Sequence, residues 1–125
     1  MADGVGMRRR VLLVDDQVSY RRLVARLLRS GGFDVVGEAG TGREALALAA
    51  ACVPDLVLLD VLLPDFDGFE VARRLETGSA APAVVLVSSR QREDLRDFSN
   101  LVLVRGFLGK AEFTVEGLVA LLGER

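Results

Sequence analysis

Leu56-Val57-Leu58-Leu59-Asp60 is an unbroken apolar run that stops at an acid, and Pro64 and Asp67-Gly68 follow it at turn positions. A run this short and this continuous reads as a strand buried on both faces, because a strand with one wet face would alternate. The form repeats along the chain. Val11-Leu12-Leu13-Val14 stops at Asp15-Asp16, and residues 83–87 follow Pro82 and stop at Ser88-Ser89. Residues 33–36 and 104–108 supply two more short strands.

Helical spacing fills the intervals. Tyr20, Leu23, Val24, Leu27 and Leu28 recur on one face, with Arg21, Arg22, Arg26 and Arg29 on the other, and Gly31-Gly32 ends the helix. Thr41 with Glu44 forms a capping-box pattern ahead of Ala45, Leu46, Leu48 and Ala49, and Pro54-Asp55 breaks that helix. A helix through Val71, Ala72 and Leu75 follows the Asp67-Gly68 turn. Residues 90–100 are polar and weakly amphipathic and are read as a helix, and Val115, Leu118, Val119 and Leu122 mark the last one. Five alternations of strand and helix, with no internal repeat or linker, predict an α/β domain. Its parallel sheet is doubly wound by right-handed crossovers and covered on both faces.

Composition narrows the chemistry. The 125 residues fit one domain, 1–125, with residues 1–8 as a loose tail in which Met7 is an alternative start. A chain of this size buries roughly two-thirds of its unfolded surface, enough for a core without staples. Sixteen basic and eighteen acidic residues give a net charge of -2, so no clustered basic excess marks a nucleic-acid surface. With no histidine, histidine-based triads and metal sites are excluded. The single cysteine, Cys52, forms no internal disulfide; it reads as a small buried hydrophobe in a reducing, cytoplasmic setting. No apolar run is long enough to span a bilayer.

Ligands of doubly wound sheets bind beyond the carboxyl ends of the strands, where the winding reverses. In a sheet of order 2-1-3-4-5, that edge gathers Asp15, Asp16, Asp60, Ser88 and Lys110. Three converging carboxylates repel one another, and a divalent cation resolves the conflict; hard oxygen donors suit Mg²⁺. A nearby amine and hydroxyl can stabilise a phosphoryl group, and Asp60 is the best nucleophile. Taken singly, each residue has a plainer use. Asp15-Asp16 can cap a helix, Asp60 can shape a turn, Ser88 can end a strand, Lys110 can be a solvated charge and Phe107 can be core. Only their joint placement favours chemistry.

That placement resembles the response-regulator receiver domains of two-component signalling. Val11 through Asp16 is similar to their first strand. Leu56 through Asp60 with Pro64, Asp67 and Gly68 is similar to their phosphoacceptor segment. The strand ending in Ser88 and the run Gly106-Phe107-Leu108-Gly109-Lys110 match two further motifs, and the likeness covers roughly residues 8–124. It implies a flavodoxin-like fold in which Asp60 accepts a phosphoryl group from a sensor histidine kinase or phosphotransfer protein. It implies Mg²⁺ (or Mn²⁺) held by Asp16 and Asp60, by Asp15 mainly through a metal-bound water, and by the backbone carbonyl of Leu62. Ser88 and Lys110 then bind phosphoryl oxygens, and Ser88 and Phe107 form the switch. Such domains act on a downstream protein or output domain, with no membrane contact and no direct nucleic-acid binding of their own. Phosphorylation-dependent homodimers are common among them, and they are not turnover enzymes.

Some positions depart from the family's pattern. Ala111 stands where a proline usually follows the lysine, so a trans bond is predicted there, because a cis bond before a non-proline residue costs about 3 kcal/mol. Lys110-Ala111-Glu112-Phe113-Thr114 resembles the subgroup that often carries helix-turn-helix output domains. Val102-Leu103-Val104 replaces a small-residue run, so the helix at 90–100 is expected to be short or irregular, with Asn100 at its end. Leu62 and Arg90 occupy positions that tune phosphoryl lifetime, and Leu62 offers no side-chain hydrogen bond to an attacking water, which predicts slow self-dephosphorylation. Two rivals remain: a binding module of the same fold that switches without phosphate, and a phosphate-ester hydrolase. The hydrolase is disfavoured because Leu62 stands where a second aspartate is usual.

Overall fold

The structure, a computed structural model, describes residues 9–78, 81–89 and 100–123. Five strands, β1 (Arg10–Val14), β2 (Asp34–Ala39), β3 (Leu56–Asp60), β4 (Ala83–Ser88) and β5 (Val104–Gly109), form one parallel sheet in the order β2-β1-β3-β4-β5. The described helices are α1 (Val18–Ser30), α2 (Gly42–Cys52), α3 (Gly68–Glu76) and α4 (Val115–Leu122), with a 3₁₀ turn at Lys110–Glu112. The helix expected at 90–100 falls almost wholly outside the described residues, as does the tail at 1–8. Among the described residues every peptide bond is trans, the one before Ala111 included.

Alternation along each strand divides the core in two. Leu12, Val14, Val57, Leu59, Val84 and Leu86 face α2 and α3. Val11, Leu13, Leu56, Leu58, Val85 and Val87 face α1 and α4. All five residues of β3 are buried, as a central strand covered on both faces requires. Leu59 is wholly buried, so Leu59→Ala would cost about 2–5 kcal/mol through lost burial and the cavity left behind.

The helix ends carry the sequence signals, with adjustments. Thr41 caps α2 by accepting the Glu44 N–H, but Glu44 reaches back to the Gly40 N–H at 2.8 Å, one residue earlier than a reciprocal box would. Asp67 is the cap of α3, accepting the Glu70 N–H at 2.9 Å, rather than part of a free turn. Gly32, with φ +93°, takes the left-handed conformation after α1, whereas Gly31 does not. The α1 stripe is rotated from the reading above: Val24, Ala25 and Leu28 are buried, while Leu23 and Leu27 are more than 40% exposed. Cys52 is half-buried at the end of α2, its thiol 3.7 Å from the Val36 carbonyl. Arg10 reaches that helix end from β1, its Nη1 donating to the Cys52 and Val53 carbonyls at 2.6 Å each. No described helix is long and apolar enough to cross a membrane.

Candidate functional site

The carboxyl ends of β1, β3, β4 and β5 meet in one place. One carboxylate oxygen from each of Asp15, Asp16 and Asp60 lies within 4.8 Å of the others. Asp15 and Asp60 are each 5% exposed, whereas Asp16 is open to solvent. Parallel register explains the convergence: Val14 pairs with Leu59 and Asp60 with Val87, so the strands run out at the same height.

Lys110 enters from the 3₁₀ turn after β5. Its Nζ lies 2.7 Å from Asp15 Oδ2 and 3.3 Å from Asp60 Oδ2. It also donates to Gln17 Oε1 at 2.7 Å and sits 4.7 Å from the centre of the Tyr20 ring. The Tyr20 hydroxyl donates to the Lys110 carbonyl at 3.3 Å. The ammonium has thus drawn α1, β1 and β3 together around itself. Arg21 supports the same corner, donating to the Asp15 carbonyl at 2.7 Å and pairing with Glu38 at 2.9 Å.

Each Asp60 oxygen has a different neighbour. Oδ1 accepts the Leu62 N–H at 3.1 Å, which fixes the carboxylate plane, and Oδ2 faces Lys110. The following loop doubles back: Gly68 N–H donates to the Val61 carbonyl at 2.7 Å, and Leu62 bridges to Asp67. That bond does not draw on the Leu62 carbonyl. Gly68 is required here, because a Cβ would stand 2.5 Å from the Asp60 carbonyl oxygen and 2.9 Å from Val61 Cα. Ser88 is buried at the end of β4 and pairs with Gly109, the residue before Lys110. Phe107 pairs with Leu86 and packs on the α2–α3 side of the sheet, the side toward which Ser88 alternates. Arg90 lies outside the described residues.

The electrostatics follow from burial. Removal from water pushes the Asp60 carboxyl above its ordinary range; the Leu62 N–H opposes this, the Asp15 charge adds to it, and Lys110 opposes it again. Burial pulls Lys110 down, but its hydrogen bond to Asp15 and the charges of Asp60 and Asp15 outweigh that and raise it. Burial, then the Asp15 and Asp60 charges, push the Tyr20 phenol up to about 12. Among the described residues, three carboxylates gather at this edge with one ammonium, while the neighbouring Arg21 is paired with Glu38. An all-oxygen donor set with two excess negative charges fits a hard divalent cation.

Every site residue read from the sequence that falls among the described residues, Leu62 and Phe107 included, belongs to this edge or to the strands that build it. Gln17, Tyr20 and Arg21 join the site from outside the sequence motifs, Tyr20 and Arg21 reading from sequence only as opposite faces of a helix. A glutamine just before a helical run, where Ser, Thr, Asp or Asn is preferred as the cap, was the available signal for Gln17.

Comparison with known proteins agrees with this arrangement. The response regulator receiver domain family matches residues 11–121. The chain is 44% identical over 85 residues to the transcriptional regulatory protein PdtaR of Mycobacterium tuberculosis, covering 68% of this chain and 42% of the relative. It is 39% identical over 89 residues to the DNA-binding response regulator MtrA of Mycolicibacterium paratuberculosis, covering 71% of this chain and 39% of the relative. The chain therefore spans about two-fifths of the length of these curated relatives. Among solved structures, the signal receiver domain of the response regulator NarL from M. tuberculosis superposes with a TM-score of 0.78 at 34% identity, covering 93% of this chain and 94% of that one. A LuxR-family response regulator from Aurantimonas gives 0.80 at 29% identity, covering 94% and 88%. The acid-bearing strand ends, the 2-1-3-4-5 sheet and these matches lead to one conclusion: the chain belongs to the response-regulator receiver domain family of two-component systems.

Proposed function

We propose that Asp60 accepts a phosphoryl group and that the modified domain switches conformation to control a downstream protein or output domain. One observation carries this reading. A buried carboxylate at the end of β3 has a lysine ammonium 3.3 Å away and two further carboxylates within metal-ligating reach. An Asp60 oxygen attacks the phosphorus of a phosphohistidine on a sensor histidine kinase or phosphotransfer protein. The P–N bond breaks, its electron pair returns to the imidazole, and an acyl phosphate forms. Leu62 N–H holds Oδ1 and so keeps the carboxylate oriented during attack. Lys110 exchanges its contact with Asp60 for a phosphoryl oxygen, and the Ser88 hydroxyl donates to another.

Asp15, Asp16, Asp60 and the Leu62 carbonyl are the groups that would hold Mg²⁺ or Mn²⁺. When bound there, such an ion would supply positive charge to offset that of the phosphoryl oxygens approaching three carboxylates. Phe107 is the aromatic switch, taking up space on the α2–α3 side of the sheet as Ser88 shifts toward the phosphoryl group. The acyl phosphate is the signal, and the domain does not act as a turnover enzyme. A cytoplasmic location suits a partner that is an intracellular kinase domain. The regulatory names of the relatives point to transcription as the controlled process.

The test is incubation with a small phosphodonor, with Mg²⁺ or with a chelator, followed by intact mass. One phosphoryl adduct that needs Mg²⁺ and disappears in Asp60→Asn supports the proposal. No adduct with Mg²⁺ present favours a phosphate-independent binding module. Continuous phosphate release from simple esters favours a hydrolase.

A further inference from the structure

We infer that Gln17 is a positioning residue for Lys110, holding the ammonium beside Asp60 without letting it close on the nucleophile. The inference rests on the phosphoacceptor reading of Asp60 given above.

The helix caps give the first reason. Thr41, Asp67 and Thr114 begin α2, α3 and α4, and each accepts the backbone N–H three residues on. Gln17 begins α1 and makes no such bond. Its own N–H is taken by Asp15 Oδ1 at 2.8 Å, and its side chain instead crosses the sheet edge to accept from Lys110. The capping contribution the other helices make is absent here, and the amide is committed to the site.

The ammonium gives the second. Lysine has three N–H donors, and among the described residues Lys110 has three oxygen neighbours: Asp15 Oδ2 and Gln17 Oε1 at 2.7 Å, and Asp60 Oδ2 at 3.3 Å. The two short contacts lie toward α1, and the longest is the one to the nucleophile. The Tyr20 ring, 4.7 Å away, flanks the ammonium, and the Tyr20 hydroxyl holds the Lys110 carbonyl. An ammonium bonded tightly to Asp60 would withdraw charge from the attacking oxygen and would have to be displaced. The Gln17 amide oxygen takes up an N–H that would otherwise be free to turn toward Asp60.

Two substitutions test this. Gln17→Met keeps the length and removes the strong acceptor; Gln17→Glu keeps both reach and acceptor. Rates with acetyl phosphate at saturating Mg²⁺ are compared with Mg²⁺ affinity measured without donor. Tyr20 is the sole tyrosine in a chain without tryptophan, so its emission reports on the Lys110 seat. Gln17→Met should lower the rate roughly three- to tenfold, the scale of one lost hydrogen bond. Its Mg²⁺ affinity should stay within about twofold and its Tyr20 emission should change, and Gln17→Glu should restore most of the rate. A Gln17→Met rate equal to wild type overturns the inference. So does a parallel loss of rate and Mg²⁺ affinity without rescue by Glu, which would mark general damage to the acid turn. If wild type itself takes no phosphoryl group, the proposed function has failed and this inference falls with it; if wild type is phosphorylated and Gln17→Met matches it, only the inference falls.

Discussion

Asp60 lies at the closed end of β3, 5% exposed, with a lysine and other carboxylates around it. Asp65, a little further along the same loop, faces solvent and accepts N–H bonds from Gly42, Arg43 and Phe66 at 2.7, 3.0 and 2.8 Å. The two carboxyls are pushed in opposite directions. Burial drives Asp60 up. For Asp65 the desolvation cost is outweighed by the backbone N–H groups acting together, which hold it below the ordinary range. Asp60 carries charge the fold does not fully satisfy, and that charge is available for a cation and a phosphoryl group. Asp65 is satisfied by the first turn of α2 and fastens the loop that bears the reactive acid. One residue type is therefore a site in one place and a cap in the other, and the number of donated N–H bonds decides which.

The contrast breaks most visibly at Lys110. Lys110→Met should slow phosphoryl transfer about a hundredfold, the usual scale for loss of one charge-stabilising donor. The same measurement on Asp65→Ala should show a change of less than about threefold, because the N–H groups that Asp65 holds lie outside the reacting set. Equal losses in the two variants would erase the distinction.

Leu62 sharpens it next. Its N–H holds Asp60, while its side chain, 46% exposed, offers no hydrogen bond to an attacking water. Leu62→Asn should lose the phosphoryl group several-fold faster, on the order of one hydrogen bond to an attacking water. An unchanged lifetime, followed by adduct mass over time, would show that Leu62 does not govern it.

Melting curves extend the contrast to stability. Because the folded Asp60 carboxyl is raised, its contribution favours folding at low pH and is lost as pH rises from the unfolded value of about 3.9 through the higher folded value. At neutral pH, without divalent cation, Asp60→Asn should therefore melt above wild type. Mg²⁺ should raise the Tm of wild type more than that of the variant. Asp65 has the opposite sign. Its contribution is present above about pH 3.9 and is lost as pH falls through its lower folded value. Asp65→Ala should melt below wild type at neutral pH, and the two curves should converge in acid. A wild type that melts above Asp60→Asn in chelator would contradict the sign for Asp60.

Much of this edge was legible in the sequence because it is local. Apolar runs such as Leu56–Asp60 mark buried strands, and an acid where such a run stops marks the sheet's carboxyl edge. Sheet order then brings Asp15, Asp16, Asp60 and Lys110 together without further information. What stayed hidden depends on long-range contact. Gln17 and Lys110 are 93 positions apart, and Tyr20 and Lys110 are 90 apart. Asp65 caps a helix that begins 23 residues before it. No periodicity encodes such pairings. The rotation of the α1 stripe, which leaves Leu23 and Leu27 exposed, was hidden for a related reason, since alternative apolar stripes fit the same spacing and only packing selects one.

The most direct test identifies the modified atom. Protein treated with acetyl phosphate and Mg²⁺ is reduced with borohydride, which converts an acyl phosphate on aspartate into homoserine, and is then mapped by peptide sequencing. Homoserine at position 60 alone, absent when Mg²⁺ is chelated, is the expected result. Homoserine at Asp15 or Asp16, a borohydride-stable phosphate on Ser88, or no modification at all would contradict it.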